Sequence, residues 1–334
     1  MKYETKISLV VTIYTEEDNW GQYKQSGYTV ENILRIPALQ SIFDEFEINP
    51  TYLVSYPVVM DKRALSIFKT IIARNRCEIG MHCHPWNTPP FEEENTKKNS
   101  MLCNLPAELQ FKKMSNLHHC IVSSLGVVPI SFRAGRWGFS NQVAKNLLML
   151  GYKVDTSVLS FTNLSDKGGP DYSNIAPSPY LFSHLDIYSS ANSGEMLEIP
   201  ITAGYLQNNF DMCNRISIIA GHKIPNSLKI KGILQRLNLL NKIYFSPEVN
   251  SAAEMIALTK NLVKKGYTVI NLSFHSTTLK QGLTPFVKTE EDERNFIIRL
   301  REFFQFTIES GIESVYLSDL LKYYRPKFII RTKE

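Results

Sequence analysis

Short, continuous apolar runs alternate along the chain with longer stretches in which apolar positions recur every three or four residues. The short runs read as strands buried on both faces, and the longer stretches read as amphipathic helices. Ile7 to Ile13 is the first such strand, β-branched and uninterrupted. Val30 to Phe46 has helical spacing, with Ile33, Leu34, Leu39, Ile42, Phe43 and Phe46 on one side. Thr51 to Ser55 then reads as strand, Lys62 to Ala73 as helix and Glu78 to Met81 as strand. Asn104-Leu105-Pro106 offers a capping side chain and a first-turn proline to a helix that continues to Ser124 and stops at Gly126.

The rhythm persists. Val128 to Phe132 predicts a strand, Asn141 to Leu150 a helix ended by Gly151, and Tyr152 to Val154 a strand. Met196 to Ile201 predicts another strand, Ser251 to Lys265 a helix closed by Gly266, and Thr268 to Phe274 a further strand. Thr289 opens a last long helix whose acidic first turn suits the helix dipole; it ends at Gly311, before a short strand at Ser314 to Leu317. Repeated β-then-α order predicts a parallel sheet, closed or doubly wound. Two stretches interrupt it: Phe161 to Ser183, rich in Gly, Pro, Ser and Asn, and the irregular Leu206 to Val249. With no linker, repeat or low-complexity tract, these read as loop insertions near 160–190 and 205–250 in one domain spanning 1–334.

Charge narrows the partners. The 37 basic and 32 acidic side chains are interspersed, and only the tail from Tyr324 to Lys333 is locally basic, so no stripe for nucleic acid is present. Five scattered cysteines without a CxxC pair argue against a disulfide framework and against a cysteine zinc site. The first residues do not have the shape of a signal peptide, and no apolar run reaches the roughly eighteen residues of a membrane span. A reduced, cytoplasmic protein is expected.

Chemistry-bearing residues gather directly after the predicted strands. Glu16, Glu17, Asp18 and Trp20 follow the first, and His82-Cys83-His84-Pro85-Trp86 follows the strand through Ile79. Arg133, Arg136 and Trp137 follow Phe132, Asp155 follows Val154, and His275 follows Phe274. In parallel β/α folds the C-terminal strand ends share one face, which carries the active site. His82 and His84, two apart on an extended segment, point the same way and can reach one cation, with a carboxylate from another strand completing a three-ligand set. Trp20, Trp86 and Trp137 could form an aromatic rim for a sugar ring. Arg136 reads first as a salt-bridge partner, and Asp155 either as a cap for the next turn or as part of the site. His118 and His119 read as structural or surface residues, and His184 and His222 receive no role. The sequence contains no GxSxG, GxxxxGK[ST] or GxGxxG motif, which disfavours serine-esterase, nucleotide-dependent and NAD-dependent readings.

The segments VTIYTEEDNW, EIGMHCHPWNTPP, FRAGRWGF, VDTSV and NLSFHSTTL with GLTPFVKTEEDE, in this order, resemble the NodB-homology polysaccharide deacetylases, and especially the WalW-like branch associated with lipopolysaccharide biosynthesis. The resemblance runs from Leu9 to Leu320. It implies an α/β fold, a deformed (β/α) barrel of about seven parallel strands. It also implies a divalent metal (zinc, with cobalt or nickel as alternatives) and removal of an acetyl group from a sugar or glycan precursor. On this resemblance Glu16, His82 and His84 hold the metal, Arg133 orients the acid–base machinery, Asp155 is a supporting acid and His275 is the general acid. Tyr14 stands where the family carries its aspartate base. A phenol with a pKa of about 10 is a poor base, so Glu17 or Asp18 would substitute, and Tyr14 would join the tryptophans as a substrate contact. The competing reading is a pseudo-deacetylase that binds a glycan or a biosynthetic partner through the same cleft.

Overall fold

The computed structural model describes residues 6–220, 232, 236 and 239–324; His222 and the basic tail beyond Tyr324 lie outside them. The sheet is built from β1 (Ser8–Thr15), β2 (Pro50–Val54), β3 (Glu78–Cys83), β4 (Ser131–Ala134), β5 (Val154–Asp155), β9 (Met196–Glu198) and β12 (Val269–His275). These seven run parallel in the order β12-β1-β2-β3-β4-β5-β9. The strand β13 (Glu313–Ser314) adds a short parallel rung to β1, and β8 (Tyr180–Phe182) pairs antiparallel with β9. Two small antiparallel pairs lie outside this sheet: β6 (Thr162–Asn163) with β7 (Asp171–Tyr172), and β10 (Ala203–Tyr205) with β11 (Lys242–Tyr244).

All eight residues of β1 are buried, because β1 lies between β12 and β2 with its two faces covered. The strand extends two residues past its apolar run, since Tyr14 and Thr15 pair with Leu53 and Val54 of β2. Tyr14 therefore sits on the ladder itself, in register with His275 of β12. The helices α1 (Ile36–Glu45), α2 (Tyr56–Met60), α3 (Lys62–Ala73), α4 (Ala107–Leu125), α5 (Asn141–Met149), α6 (Phe210–Ile219), α7 (Ala252–Lys264) and α8 (Glu290–Ser310) include every long predicted helix. Ser251 and Thr289 each form a reciprocal capping box, with Glu254 and Asp292, and Gly126 and Gly311 end α4 and α8 at φ 71° and 69°.

Several boundaries move. The first predicted helix divides into a 3₁₀ turn at Glu31–Arg35 and then α1, whose first turn holds Pro37. Asn104 does not cap α4: Pro106 occupies the N-cap, and the Asn104 amide instead donates to the Lys98 and Gly168 carbonyls. The first stretch, read as a long loop, contains β6, β7 and β8, too short to announce themselves; the second, read as irregular with some helix, contains α6 and the short strand β11.

The strand path is open between β9 and β12, and single hydrogen bonds span the gap. The Thr202 amide donates to the Asn271 carbonyl at 3.3 Å, Phe245 to Thr202 at 2.9 Å, and Ser273 to Phe245 at 3.1 Å. Inside the curl the Asn271 side chain accepts from Thr12 Oγ1 at 3.0 Å and donates to Thr156 Oγ1 at 2.8 Å and the Ile199 carbonyl at 3.1 Å. This buried amide ties the paired strands β1 and β12 to the chain just after β5 and β9, with which they share no ladder. Asn271→Ala leaves these groups without their partner, which costs about 1–3 kcal/mol per buried unsatisfied group. Urea denaturation should show a lower midpoint by that order, with an unchanged far-UV circular dichroism spectrum.

Candidate metal centre and active-site cleft

Three ligand-bearing side chains converge at the C-terminal ends of β1 and β3. Glu16, His82 and His84 are 7%, 1% and 4% exposed, and their ligand atoms lie within 4.8 Å of one another. His82 and His84 share a face, as their spacing of two requires. Cys83 between them packs into the core. His82 Nδ1 lies 3.0 Å from the Arg133 carbonyl, which can only accept, so Nδ1 carries the proton and Nε2 a lone pair. That lone pair faces Glu16 Oε2 at 3.5 Å, and His84 Nε2 faces the same oxygen at 3.3 Å. Burial lowers the His82 imidazole to about 3, keeping it neutral, and raises the Glu16 carboxyl to about 7. Two imidazoles and a carboxylate, buried with lone pairs opposed, fit a divalent cation with an open position.

The backbone around the triad is shaped for it. A Cβ on Gly135 would come within 2.5 Å of His84 Cδ2 and 2.7 Å of the Cys83 carbonyl oxygen, so only glycine lets β4 approach the ligand segment. The wholly buried Lys113 of α4 donates to the carbonyls of Pro85, Thr88 and Pro90 at 2.7–2.9 Å and pairs with Glu93 at 2.8 Å, fixing the loop after His84.

Beside the triad the Tyr14 ring lies between Arg133 and His275. The Arg133 guanidinium carbon is 4.4 Å from the Tyr14 centroid, and the His275 ring stacks on Tyr14 at 4.2 Å and 12°. The Tyr14 hydroxyl accepts from Trp137 Nε1 at 2.7 Å. Burial raises the Tyr14 pKa above its ordinary value, outweighing the Arg133 charge that lowers it.

His275 has a partner that the strand-end logic missed. Glu248, in the irregular stretch after β11, accepts from the His275 backbone amide at 2.9 Å and faces His275 Nδ1 at 3.1 and 3.2 Å. It also accepts from Thr278 Oγ1 at 2.5 Å. Burial opposes charge on both groups, yet their pairing wins: Glu248 is held below the usual carboxylate range and His275 above the usual imidazole value. With Nδ1 on Glu248, His275 Nε2 is the nitrogen available to the cleft.

Tyr14, Glu16, His82, His84 and His275 line one cavity of about 280 Å³, which also takes in Glu17, Trp20, Tyr23, Trp86, Met101, Arg136, Trp137, Leu164 and Lys167. No protein-family model matches the sequence, and no curated protein matches it significantly. Solved structures do match. A candidate polysaccharide deacetylase from Mycobacterium smegmatis superposes over 100% of this chain and 98% of its own, at TM-score 0.54 and 16% identity. A candidate glycoside hydrolase or deacetylase from Parabacteroides distasonis matches 96% of this chain and 73% of its own, at TM-score 0.59 and 14% identity. The chain shares the curled, mostly parallel β/α fold of these structures. A 4-alpha-glucanotransferase from Thermococcus litoralis shares it over 97% of this chain and 41% of its own, at TM-score 0.55 and 14% identity.

On this fold the expected site residues separate into those in the cleft and those behind it. Tyr14, Glu16, Glu17, Trp20, Trp86, Trp137, His82, His84 and His275 line the cleft. Glu17 Oε1 accepts from Trp86 Nε1 at 3.1 Å, while Oε2 is buried without a partner. Arg133 lies behind Tyr14, fully buried, and donates to Thr12, Thr156 and the Thr156 carbonyl.

Asp18 does not line the cleft. Its carboxylate is taken up by Thr29, the Glu31 and Asn32 amides and the Asn32 side chain at 2.6–3.1 Å, which ties down the turn after β1. Asp155 also stays behind the cleft, accepting from the Ser157 amide and hydroxyl as the cap of the following turn. Arg136 makes no salt bridge among the described residues; it donates to the Lys97 carbonyl and Ser100 Oγ. His118 and His119 pack against Tyr152 and Ser115 on α4, away from the cleft.

Among the described residues no helix is long and apolar enough to cross a membrane. Wild-type protein dialysed against a weak chelator is expected to retain one divalent ion per chain by mass spectrometry. His82→Ala should lose it. Gly135→Ala, which drives a methyl into His84, should weaken retention by about 10–100-fold, the range for disturbed metal-ligand support.

Proposed function

We propose that this cleft removes an acetyl group from a sugar or glycan precursor, using a divalent cation of the zinc, cobalt or nickel type held by Glu16, His82 and His84. What supports the reading most is that the buried triad and the His275–Glu248 pair open into one cavity, on a fold shared with deacetylases. The cation, when bound, would polarise the acetyl carbonyl and lower the pKa of water from 15.7 toward about 7. The residues of the chain supply the rest. Glu17 lines the cavity, is held below the usual carboxylate range by His84 and Trp86 despite burial, and takes the proton of the attacking water. As the oxygen of water bonds to the acetyl carbon, the bond to the sugar nitrogen or oxygen breaks. His275 gives its Nε2 proton to the departing atom. Tyr14, Trp20, Trp86 and Trp137 exclude solvent and pack on the ring.

Tyr14 favours a second reading, in which the cleft binds a glycan without hydrolysing it. Its hydroxyl is engaged by Trp137 and its pKa is raised, so it cannot act as a base near neutrality. Acetate release from acetylated sugars decides between the two. Deacetylation predicts slow turnover that falls by about 10²-fold or more in His275→Ala, the usual effect of losing a general acid. It also predicts a gain in Tyr14→Asp, which supplies a carboxylate beside the triad. Sugar binding with no acetate release in wild type or Tyr14→Asp would establish the second reading.

The proton on His275 sets a pH limb. Glu248 raises the His275 pKa, so the acid form persists above the ordinary imidazole range and activity falls as pH rises through this raised value. Glu248→Gln removes the charge responsible. The alkaline limb of the kcat/KM profile should then move to lower pH, with the metal content unchanged.

A further inference from the structure

We propose that the mouth of this cleft binds a phosphate or diphosphate group carried by the sugar, through Arg136 and Lys167. The inference rests on the sugar-binding reading above and names the class of sugar. The cavity is electrically two-sided: Glu16 and Glu17 lie among its lining with the imidazoles, while Arg136 and Lys167 contribute two cations. Neither cation has a carboxylate partner among the described residues, whereas Lys113, buried behind the loop after His84, is paired with Glu93. A neutral acetylated sugar offers nothing that calls for either.

Arg136 is held in place for this. Its Nη1 is anchored on the Lys97 carbonyl at 2.9 Å and on Ser100 Oγ, and its plane lies over the Tyr23 ring at 5.2 Å. Nε and Nη2 are left without a partner among the described residues. Arg136 and Trp137 are successive non-glycine residues at φ 52° and 57°. This left-handed pair is unfavourable for side chains of their size and recurs at functional sites. Lys167 closes the 3₁₀ turn Ser165–Lys167, which Gly168 ends at φ 76°. The Asn104 amide bridges the Gly168 and Lys98 carbonyls, so the turn bearing Lys167 is tied to the segment that anchors Arg136. Asp166 is exposed and does not line the cavity.

A guanidinium with free N–H groups and an ammonium from a second loop suit a phosphate, which carries nearly two charges and three acceptor oxygens. A uronic carboxylate carries one charge and satisfies one of them. Sugar nucleotides and lipid-linked sugar diphosphates share this chemistry.

The chain has three tryptophans, and all of them line the cavity, so intrinsic fluorescence reports binding directly. Full-length protein is titrated at low salt with N-acetylglucosamine, its 1-phosphate, its uridine diphosphate conjugate and a disaccharide of N-acetylglucosamine and glucuronic acid. The phosphorylated sugars should bind at least tenfold more tightly than the neutral one, and the preference should be lost in Arg136→Gln and in Lys167→Gln. Lys167 is exposed and has no side-chain partner among the described residues, so its variant tests the idea without a folding risk. A tighter uridine conjugate assigns the nucleotide form; equal affinity with the 1-phosphate assigns the phosphate alone, as in a lipid-linked donor. Equal affinities for neutral and phosphorylated sugars, no response to the phosphorylated ones, a preference for the uronic disaccharide or a preference that survives in both variants would overturn it. Acetate release is not read in this assay: phosphate-dependent binding without hydrolysis keeps this inference and defeats deacetylation, whereas hydrolysis without phosphate preference does the reverse.

Discussion

Burial of one guanidinium organises the active end of the barrel. Arg133 is fully excluded from water, where an unpaired charge would cost several kcal/mol. The fold compensates through Nε and Nη2, while Nη1 has no hydrogen-bond partner among the described residues. Thr12 on β1 and Thr156 after β5 receive its N–H groups, and Asp155 and Glu198 supply negative potential from β5 and β9. Burial raises both of these carboxyl groups, Glu198 well above its ordinary value. The Arg133 carbonyl, meanwhile, fixes the proton of His82. Four strands are thereby referred to a single side chain, and the backbone of the same residue sets the His82 tautomer.

Tyr14 gains its meaning from this arrangement. A carboxylate in its position would face Arg133 directly; the tyrosine covers the guanidinium with its ring face instead and offers His275 a stacking surface. On the far side of the ring, Glu248 raises the pKa of His275. Substitution at this point removes one proton acceptor while preserving the packing of its neighbours. Glu17, one residue beyond Glu16, is the carboxylate left in the cleft.

The sheet was legible because strands buried on two faces are written as unbroken apolar runs, and the helices because their caps and glycine stops are local. The convergence of the two imidazoles was legible for a related reason: His82 and His84 sit two apart at a strand end, where direction is fixed by the pleat. What escaped depends on long-range closure. Glu248 lies on no strand and reaches His275 only because Phe245 crosses the gap between β9 and β12. Glu198 and Lys113 look like ordinary strand and helix residues until their surroundings are known. Asp18 misled for the opposite reason: it follows Glu16 and Glu17 in an acidic run, but its side chain is consumed by the turn that the run begins. Arg136 was read as a salt-bridge partner because most arginines are, and its position among carbonyls and an aromatic ring has no sequence signature.

The position of β1 also sets an order of events during synthesis. One edge finds β2 within about forty residues, but the other pairs with β12 over seven positions, Ser8 to Tyr14 against Val269 to His275. Translation at roughly 5–20 residues per second leaves that edge of the most apolar strand unpaired for tens of seconds. Ladders of such sequence separation also fold slowly once the chain is complete. The same pairing that brings Tyr14 beside His275 places the final assembly of the cleft after emergence of the C-terminal third.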